Sequence, residues 1–272
     1  MTNHYRLLVT DIDGTLLGKN GTISPDDRTT LAKIQDSGMQ VALSTGRVML
    51  ASLKIIKELS LDGYHIFCDG ALVSNPENDD EVYAKPISQA LLREAIEFSH
   101  LYDINLDLYS RNRYFIERET WATAIRRDFF GVEPTVVDFN QVWPEERIIK
   151  GALVLNSAEE RAKAESFRLH FQDCFNFSLS RTPSYPEVDF INVVAQGVSK
   201  GEALLALSSY LNIPMSEVIA IGDGNNDVSL LSKAGLAIAM GNAPDELKAV
   251  ADYVTLDVEH SGLSAAIKKL LR

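Results

Sequence analysis

The regular alternation of strand-like and helix-like segments at both ends of the chain constrains the fold most. Early in the chain, short apolar runs alternate with helically spaced apolar residues at Tyr5–Thr10, Pro25–Asp36, Met39–Leu43, Arg47–Leu59 and Tyr64–Cys68. The alternation returns at Lys200–Leu211, Val218–Gly222, Asn226–Ala234, Leu236–Ala239 and Gly262–Leu271. Strands that alternate with helices in this way form parallel sheets covered by helices. The two ends therefore predict one α/β core, a Rossmann-like doubly wound parallel sheet.

The middle of the chain has a different pattern. After a hairpin tip at Ser74–Glu81, helical patterns alternate with apolar runs at Ser88–Tyr102, Ile104–Tyr109, Glu117–Phe130, Ile148–Leu155, Ala158–Phe171 and Phe175–Ser180. This predicts an α+β unit over residues 86–193, inserted into a core formed by residues 1–85 and 194–272.

The composition excludes several function classes. The 272 residues carry 26 Lys and Arg against 38 Asp and Glu, a formal net charge of −12, whereas nucleic-acid binders present basic surfaces. No apolar run approaches the roughly 20 residues of a membrane helix, and Asp11 and Asp13 interrupt the N-terminal apolar stretch. We therefore expect no nucleic-acid partner, no membrane partner and no signal peptide. Cys68 and Cys174 do not predict a disulfide framework, and we expect a cytoplasmic protein.

Polar residues that can take part in binding or catalysis lie where the predicted core elements begin or end. These segments are Asp11-Ile12-Asp13-Gly14-Thr15, Ser44-Thr45-Gly46-Arg47, Val198-Ser199-Lys200-Gly201 and Gly222-Asp223-Gly224-Asn225-Asn226-Asp227. In open α/β sheets, ligands bind beyond the carboxyl ends of the strands. We therefore expect the four segments to meet in one site.

Their combined chemistry predicts a magnesium and phosphoryl site. Crowded carboxylates need a cation to neutralise them, and hard oxygen ligands that leave room for a substrate suit Mg2+. Thr45 at a helix N-terminus and the ammonium group of Lys200 suit a phosphoryl group. An EF-hand loop is excluded, because the twelfth position would be Thr22 or Ala234 rather than Glu.

The four segments resemble the four motifs of the haloacid dehalogenase superfamily. Ala239-Met240-Gly241-Asn242-Ala243, together with Lys248 and Ala251-Asp252-Tyr253-Val254, resembles the narrower Cof-type sugar-phosphatase branch. The resemblance covers residues 1–85 and 195–272, and the insert matches that branch's large cap in position and size only. It implies a cap over residues 86–193 that closes over the active site and selects the substrate.

The resemblance also implies a role for each site residue. Asp11 is the expected nucleophile, which forms an aspartyl-phosphate, and Asp13 is the expected general acid and then general base. The expected cofactor is Mg2+, held by Asp11, the backbone carbonyl of Asp13 and Asp223, with Asp227 supporting these ligands. The phosphoryl oxygens are expected to bind Ile12, Thr45, Gly46, Lys200 and Asn226.

One segment departs from the family pattern. Relatives commonly have Asn-Gly-Ala after the third core strand, whereas this chain has Asp69-Gly70-Ala71. The added carboxylate could repel an anionic substrate, hydrogen-bond a sugar hydroxyl, or be a simple turn residue. Substrate preference is therefore left open.

The expected function is a Mg2+-dependent phosphatase that hydrolyses a small phosphorylated metabolite, either a sugar phosphate or a cofactor or nucleotide phosphate. A phosphosugar mutase of the same superfamily is an alternative, and Arg111, Arg113 or Arg181 could contribute to its second phosphate clamp. A phospho-accepting signalling module of the receiver type is a further alternative. The second Asp of Asp11-x-Asp13 and the large insertion argue against it, because a receiver needs no leaving-group acid and no lid. The sequence does not fix the oligomeric state.

Overall fold

The computed structural model describes residues 4–78, 80–131, 133–142, 144–182 and 185–270. The chain divides into two compact units. The first comprises Met1–Thr45, Lys54–Tyr83 and Ser199–Arg272, and the second comprises Gly46–Leu53 and Ala84–Val198. That the two units act as a catalytic core and a cap stays a prediction.

The strands, in chain order, are β1 Leu7–Thr10, β2 Gln40–Leu43, β3 His65–Phe67, β4 Leu72–Asn75, β5 Asp80–Ala84, β6 Leu106–Tyr109, β7 Tyr114–Ile116, β8 Thr135–Val136, β9 Lys150–Leu155, β10 Phe175–Thr182, β11 Tyr185–Ala195, β12 Val218–Gly222, β13 Leu236–Ala239 and β14 Tyr253–Val254. The α-helices are α1 Pro25–Asp36, α2 Met49–Glu58, α3 Gln89–Leu101, α4 Trp121–Phe130, α5 Phe139–Val142, α6 Ala158–His170, α7 Lys200–Leu211, α8 Val228–Leu231, α9 Asp245–Ala249 and α10 Gly262–Leu270. No helix in these described ranges is long and apolar enough to cross a membrane.

The first unit contains the predicted parallel sheet. Its strand order is β14-β13-β12-β1-β2, and Leu7 of β1 lies opposite both Val218 and Gln40. Side chains alternate between the two faces of a strand, so Leu7 and Val9 share one face, where they belong to the same buried cluster as Leu204 of α7. Helix α1 packs beside β2 and against α10. This is the α/β fold predicted from the alternation.

The sheet order positions the site. Strand β1 lies between β12 and β2, and the three strands run parallel, so their carboxyl ends lie at one edge. The residues that follow these strands are Asp11, Ser44 and Asp223. Three of the four polar segments predicted to form the site therefore meet at one sheet edge because of the sheet topology alone.

The second unit is a separate α+β assembly, as its pattern predicted. Its sheet order is β10-β11-β9-β6-β7-β8, and its described pairings are antiparallel except for that of β7 with β8. Phe167 of α6 packs into a buried cluster with Leu108 of β6. A smaller cluster joins Ala122 of α4 to Phe190 of β11.

Two local predictions about the first unit are wrong. The segment Asn226–Ala234, predicted as one helix, forms a 3-10 turn at Asn225–Asp227 followed by the short α8. The Asp227 carboxylate explains the turn, because it accepts hydrogen bonds from the preceding peptide N–H groups of Asp223 and Gly224. Cys68, predicted to end a strand, begins a 3-10 turn with a φ of 53°. Cys68 and Cys174 are both free cysteines.

Candidate active site

Asp11 and Asp13 lie in the loop that leaves β1. The Asp11 peptide N–H donates to the Ile221 carbonyl at 3.0 Å, which extends the pairing of β1 with β12. The Asp11 side chain is buried, whereas Asp13 is exposed. Gly14 turns the loop with a φ of 88°, and a Cβ there would lie 2.1 Å from Asp223 Oδ2. Only glycine fits this position, so the loop can pack against Asp223.

Lys200 joins two of the acidic segments. It is the first residue of α7, whose N-terminus is capped by Ser199 accepting from the Glu202 N–H. The buried Lys200 Nζ donates to Asp11 Oδ1 and to Asp227 Oδ1, both at 2.6 Å. A buried ammonium needs such anionic partners to offset the loss of water. The lysine is therefore held directly beside the Asp11 carboxylate.

Asp227 organises the loop after β12. Its Oδ2 accepts from the N–H groups of Asp223 and Gly224 at 3.1 and 3.0 Å, and its Oδ1 accepts from Lys200. The residue is fully buried. Because both of its oxygens already accept hydrogen bonds, Asp227 fixes the positions of its neighbours.

Two residues that the sequence analysis did not single out orient Asp223. Thr15 Oγ1 donates to Asp223 Oδ1 at 2.8 Å, and Asn242 Nδ2 donates to Asp223 Oδ2 at 3.2 Å. Asn242 Nδ2 also donates to the Gly14 carbonyl, and its Oδ1 accepts from the Val258 N–H. Both residues lie inside the motifs that carry the family resemblance, and their place in those motifs is the sequence feature that could have identified them. Their hydroxyl and amide groups fix the Asp223 carboxylate.

The electrostatics of the cluster suit a divalent cation. Asp11, Asp223 and Asp227 each offer a carboxylate oxygen, and these atoms lie within 4.8 Å of one another. Together with the Lys200 ammonium, they carry a formal charge of −2. Asp11 and Asp227 are buried and Asp223 is half-buried, and oxygen donors with that total charge fit Mg2+.

The protonation equilibria have the same physical origin. Burial, and then repulsion from Asp227, raises the pKa of Asp223 to about 7. Burial raises the pKa of Asp11 well above its usual value, even though Lys200 acts in the opposite direction. Burial alone would lower the pKa of Lys200, but attraction to Asp11 and Asp227 raises it overall. The site thus holds more negative charge than its lysine neutralises.

The remaining predicted residues are placed as follows. Thr45 is buried after β2, and its carbonyl accepts from the Asp69 N–H at 3.0 Å. Asn226 Nδ2 donates to Asp69 Oδ1 at 2.8 Å. Ile12 is fully buried, and its carbonyl accepts from the Leu16 N–H at 2.9 Å. Gly46 groups with the second unit, where its carbonyl accepts from Lys150 Nζ at 2.6 Å.

Within the first unit, hydrogen bonds therefore form one network around Lys200 and a separate contact at Asn226. Lys200 joins Asp11 to Asp227, Asp227 holds the peptide of Asp223, and Asn226 contacts Asp69. The exposed Asp13 follows Asp11 by two residues in the same loop. The arrangement combines a buried carboxylate, an exposed carboxylate, an ammonium group and a candidate cation site.

Comparison with known proteins identifies the family of the chain. Residues 8–267 match the family model of the haloacid dehalogenase-like hydrolases. The phosphatase YwpJ of Bacillus subtilis is 29% identical over 98% of this chain and all of its own. The 5-amino-6-(5-phospho-D-ribitylamino)uracil phosphatase YcsE of the same organism is 27% identical, over 97% of this chain and 94% of its own.

The fold is also found among solved structures. A sugar phosphatase of haloacid dehalogenase subclass IIB superposes with a TM-score of 0.78 at 25% identity, covering 97% of this chain and 98% of its own. The motifs, the sheet topology and these similarities agree, and the expected Cof-type relationship is confirmed. The chain therefore belongs to the haloacid dehalogenase-like hydrolases and is a phosphatase of that family.

Proposed function

We propose that the protein is a Mg2+-dependent phosphatase of small phosphorylated metabolites, sugar phosphates or cofactor or nucleotide phosphates, that works through an aspartyl-phosphate. One observation carries the proposal: Asp11, at the carboxyl end of β1, is held 2.6 Å from the buried Lys200 ammonium inside an acidic cluster. An anionic nucleophile can approach an anionic phosphoryl group only where positive charge offsets the repulsion.

In the first step, an Asp11 carboxylate oxygen attacks phosphorus, the new O–P bond forms, and the bond from phosphorus to the leaving oxygen breaks. Asp13 donates its proton to that oxygen as it leaves, so the product is an alcohol rather than an alkoxide. The exposure of Asp13 supports this role, since its carboxyl group is accessible to a substrate from solvent.

In the second step, the Asp13 carboxylate accepts a proton from water, and the resulting hydroxide attacks the aspartyl-phosphate. The bond between phosphorus and the Asp11 oxygen breaks, which releases inorganic phosphate and restores the Asp11 carboxylate. Each proton that Asp13 gives up in the first step is thus regained in the second.

The other residues of the site are proposed to bind the phosphoryl group and the metal ion. Lys200, Thr45, the amide of Asn226 and the backbone of Ile12 and Gly46 would bind the phosphoryl oxygens. Asp11, Asp223 and the backbone carbonyl of Asp13 would hold Mg2+, which when bound supplies positive charge against the repulsion between nucleophile and substrate. Asp227 would act on the ligands through its hydrogen bonds to the Asp223 and Gly224 peptides.

The relatives support the substrate class. The compound named for YcsE is a phosphorylated sugar alcohol on a heterocycle, and the subclass IIB structure is that of a sugar phosphatase. Of the three arginines offered for a second phosphate clamp, Arg113 is paired with Glu146 and lies over the Phe115 ring. The side chain of Arg181 lies outside the described part of the chain.

Steady-state hydrolysis of p-nitrophenyl phosphate, followed by a panel of sugar, nucleotide and cofactor phosphates, tests the proposal. The Asp11→Asn variant should stay folded and lose more than about 100-fold in kcat, since the amide is nearly isosteric but does not attack phosphorus. Asp36→Asn, which changes an exposed carboxylate in α1, is the matched control and should retain full activity. Residual activity above about a tenth of wild type in Asp11→Asn would rule out the nucleophile.

A further inference from the structure

The turn between β3 and β4 is unusually constrained. Cys68, Asp69 and Gly70 have φ values of 53°, 55° and 100°. Non-glycine residues rarely adopt this left-handed region, at a cost of about 1 kcal/mol each, and persist there when the surroundings hold them. Here a Cβ on Gly70 would lie 2.2 Å from the Ser199 carbonyl, so the turn packs directly against the N-terminus of α7.

The same turn is tied to two phosphoryl-site segments. The Asp69 N–H donates to the Thr45 carbonyl at 3.0 Å, at the end of β2. The Asp69 carboxylate is buried, and its Oδ1 accepts from Asn226 Nδ2 at 2.8 Å. Asp69 therefore links the loops after β2 and β12 to the strained turn.

A carboxylate at this position fixes the orientation of the Asn226 amide. An ionised carboxylate only accepts hydrogen bonds, so the amide must turn its NH2 end, and not its oxygen, toward Asp69. The oxygen end is close to Gly224, where a Cβ would lie 2.7 Å from Asn226 Oδ1. An asparagine at position 69 could either donate or accept and would not impose one orientation.

From this contact we infer that Asp69 is a positioning residue that acts on the phosphoryl group through Asn226. One N–H of the amide goes to Asp69, and the second stays available to a phosphoryl oxygen. The inference rests on the proposed phosphatase function and deepens it. On this inference, the carboxylate at position 69 serves to orient Asn226 and does not itself bind a sugar hydroxyl of the substrate.

The test measures kcat and KM for p-nitrophenyl phosphate and inhibition by inorganic phosphate. Asp69→Gly removes the carboxylate and suits the positive φ, and Asp69→Asn keeps the shape and an acceptor oxygen. We expect Asp69→Gly to lower kcat/KM by about 10–100-fold and to weaken phosphate inhibition, with partial recovery in Asp69→Asn. Asp80→Asn, at an exposed carboxylate in β5, is the matched control and should change neither.

A double-mutant cycle with Asn226→Ala isolates the mechanism. If Asp69 acts through Asn226, adding Asp69→Gly to Asn226→Ala causes no further loss. An equal loss in both backgrounds would overturn the inference, as would unchanged phosphate inhibition in Asp69→Gly, because inorganic phosphate has no leaving group to recognise. If the wild-type enzyme turned over no phosphomonoester, the proposed function itself would fail, a result distinct from an active enzyme without coupling.

Discussion

Acidification should destabilise the protein through a single buried histidine. His65 of β3 is fully buried, and its Nδ1 accepts from the Leu43 N–H at 3.1 Å. Burial lowers its pKa from 6.5 to about 4. Between these values the unfolded chain binds a proton that the folded chain does not, so the free energy of unfolding falls as the pH falls. At 1.36 kcal/mol per pH unit, the loss is about 3 kcal/mol between pH 7 and pH 4.

The assay is urea unfolding at fixed pH values from 7 to 4, followed by circular dichroism. His65→Asn can still accept from the Leu43 N–H through its Oδ1 but does not titrate, so its stability should depend less steeply on pH. Raised carboxyl pKa values at Asp11 and Asp223 act with the opposite sign, and they cancel in the difference between wild type and variant. A difference that is constant from pH 7 to pH 4 would refute the reasoning.

Three further outcomes are expected. Asp13→Asn should slow hydrolysis of a sugar phosphate more than that of p-nitrophenyl phosphate, whose leaving group scarcely needs a proton; equal losses in kcat would contradict the acid role. Activity should vanish in excess chelator, return with Mg2+ and be inhibited by Ca2+, whose higher coordination number ties up both Asp11 oxygens; full activity in chelator would exclude the metal site. Arg126→Met should lower the unfolding free energy by about 3 kcal/mol, because it leaves the buried Asp107, now paired at 3.1 Å, without its guanidinium; a loss below about 1 kcal/mol in urea unfolding would contradict this.

The core elements could be predicted where local signals and burial agree. Helices α1 and α7 begin and end as predicted, and each starts directly after a serine whose side chain caps it. Strands β12 and β13 also match their predicted bounds, because their residues are almost all apolar and buried. Propensity, capping and core position favour the same structure in these segments.

Strand β11 was not predicted, and tertiary pairing explains it. The segment Tyr185–Ala195 includes Pro186, Glu187 and Asp189, which disfavour a strand in isolation. In the fold it pairs with both β10 and β9, and Arg161 holds the Asp189 carboxylate at 2.8 Å. The strand is stabilised by partners that local sequence patterns do not reveal.

In the candidate site, too, some features could be predicted from the sequence and others could not. That Asp11 and Asp223 lie at one sheet edge follows from the parallel direction of the strands, which the alternation of strands and helices predicts. Their hydrogen-bond partners do not follow from it, because Thr15 and Asp223 are separated by 208 residues, and Asn226 and Asp69 by 157. Which hydroxyl or amide reaches which carboxylate depends on side-chain positions within the folded loops.

Asp69 illustrates how the fold determines which group a side chain contacts. As a turn residue it could face solvent, a substrate hydroxyl or another side chain, and its sequence neighbours do not distinguish these. The decision comes from Gly70, whose missing Cβ lets the turn approach the Ser199 carbonyl and directs the neighbouring carboxylate to Asn226. A larger residue at position 70 would clash with the Ser199 carbonyl and with the backbone nitrogen of Lys200, and would therefore displace the turn that carries Asp69. The contact between Asp69 and Asn226 thus depends on the backbone at the start of α7 as much as on the identity of residue 69.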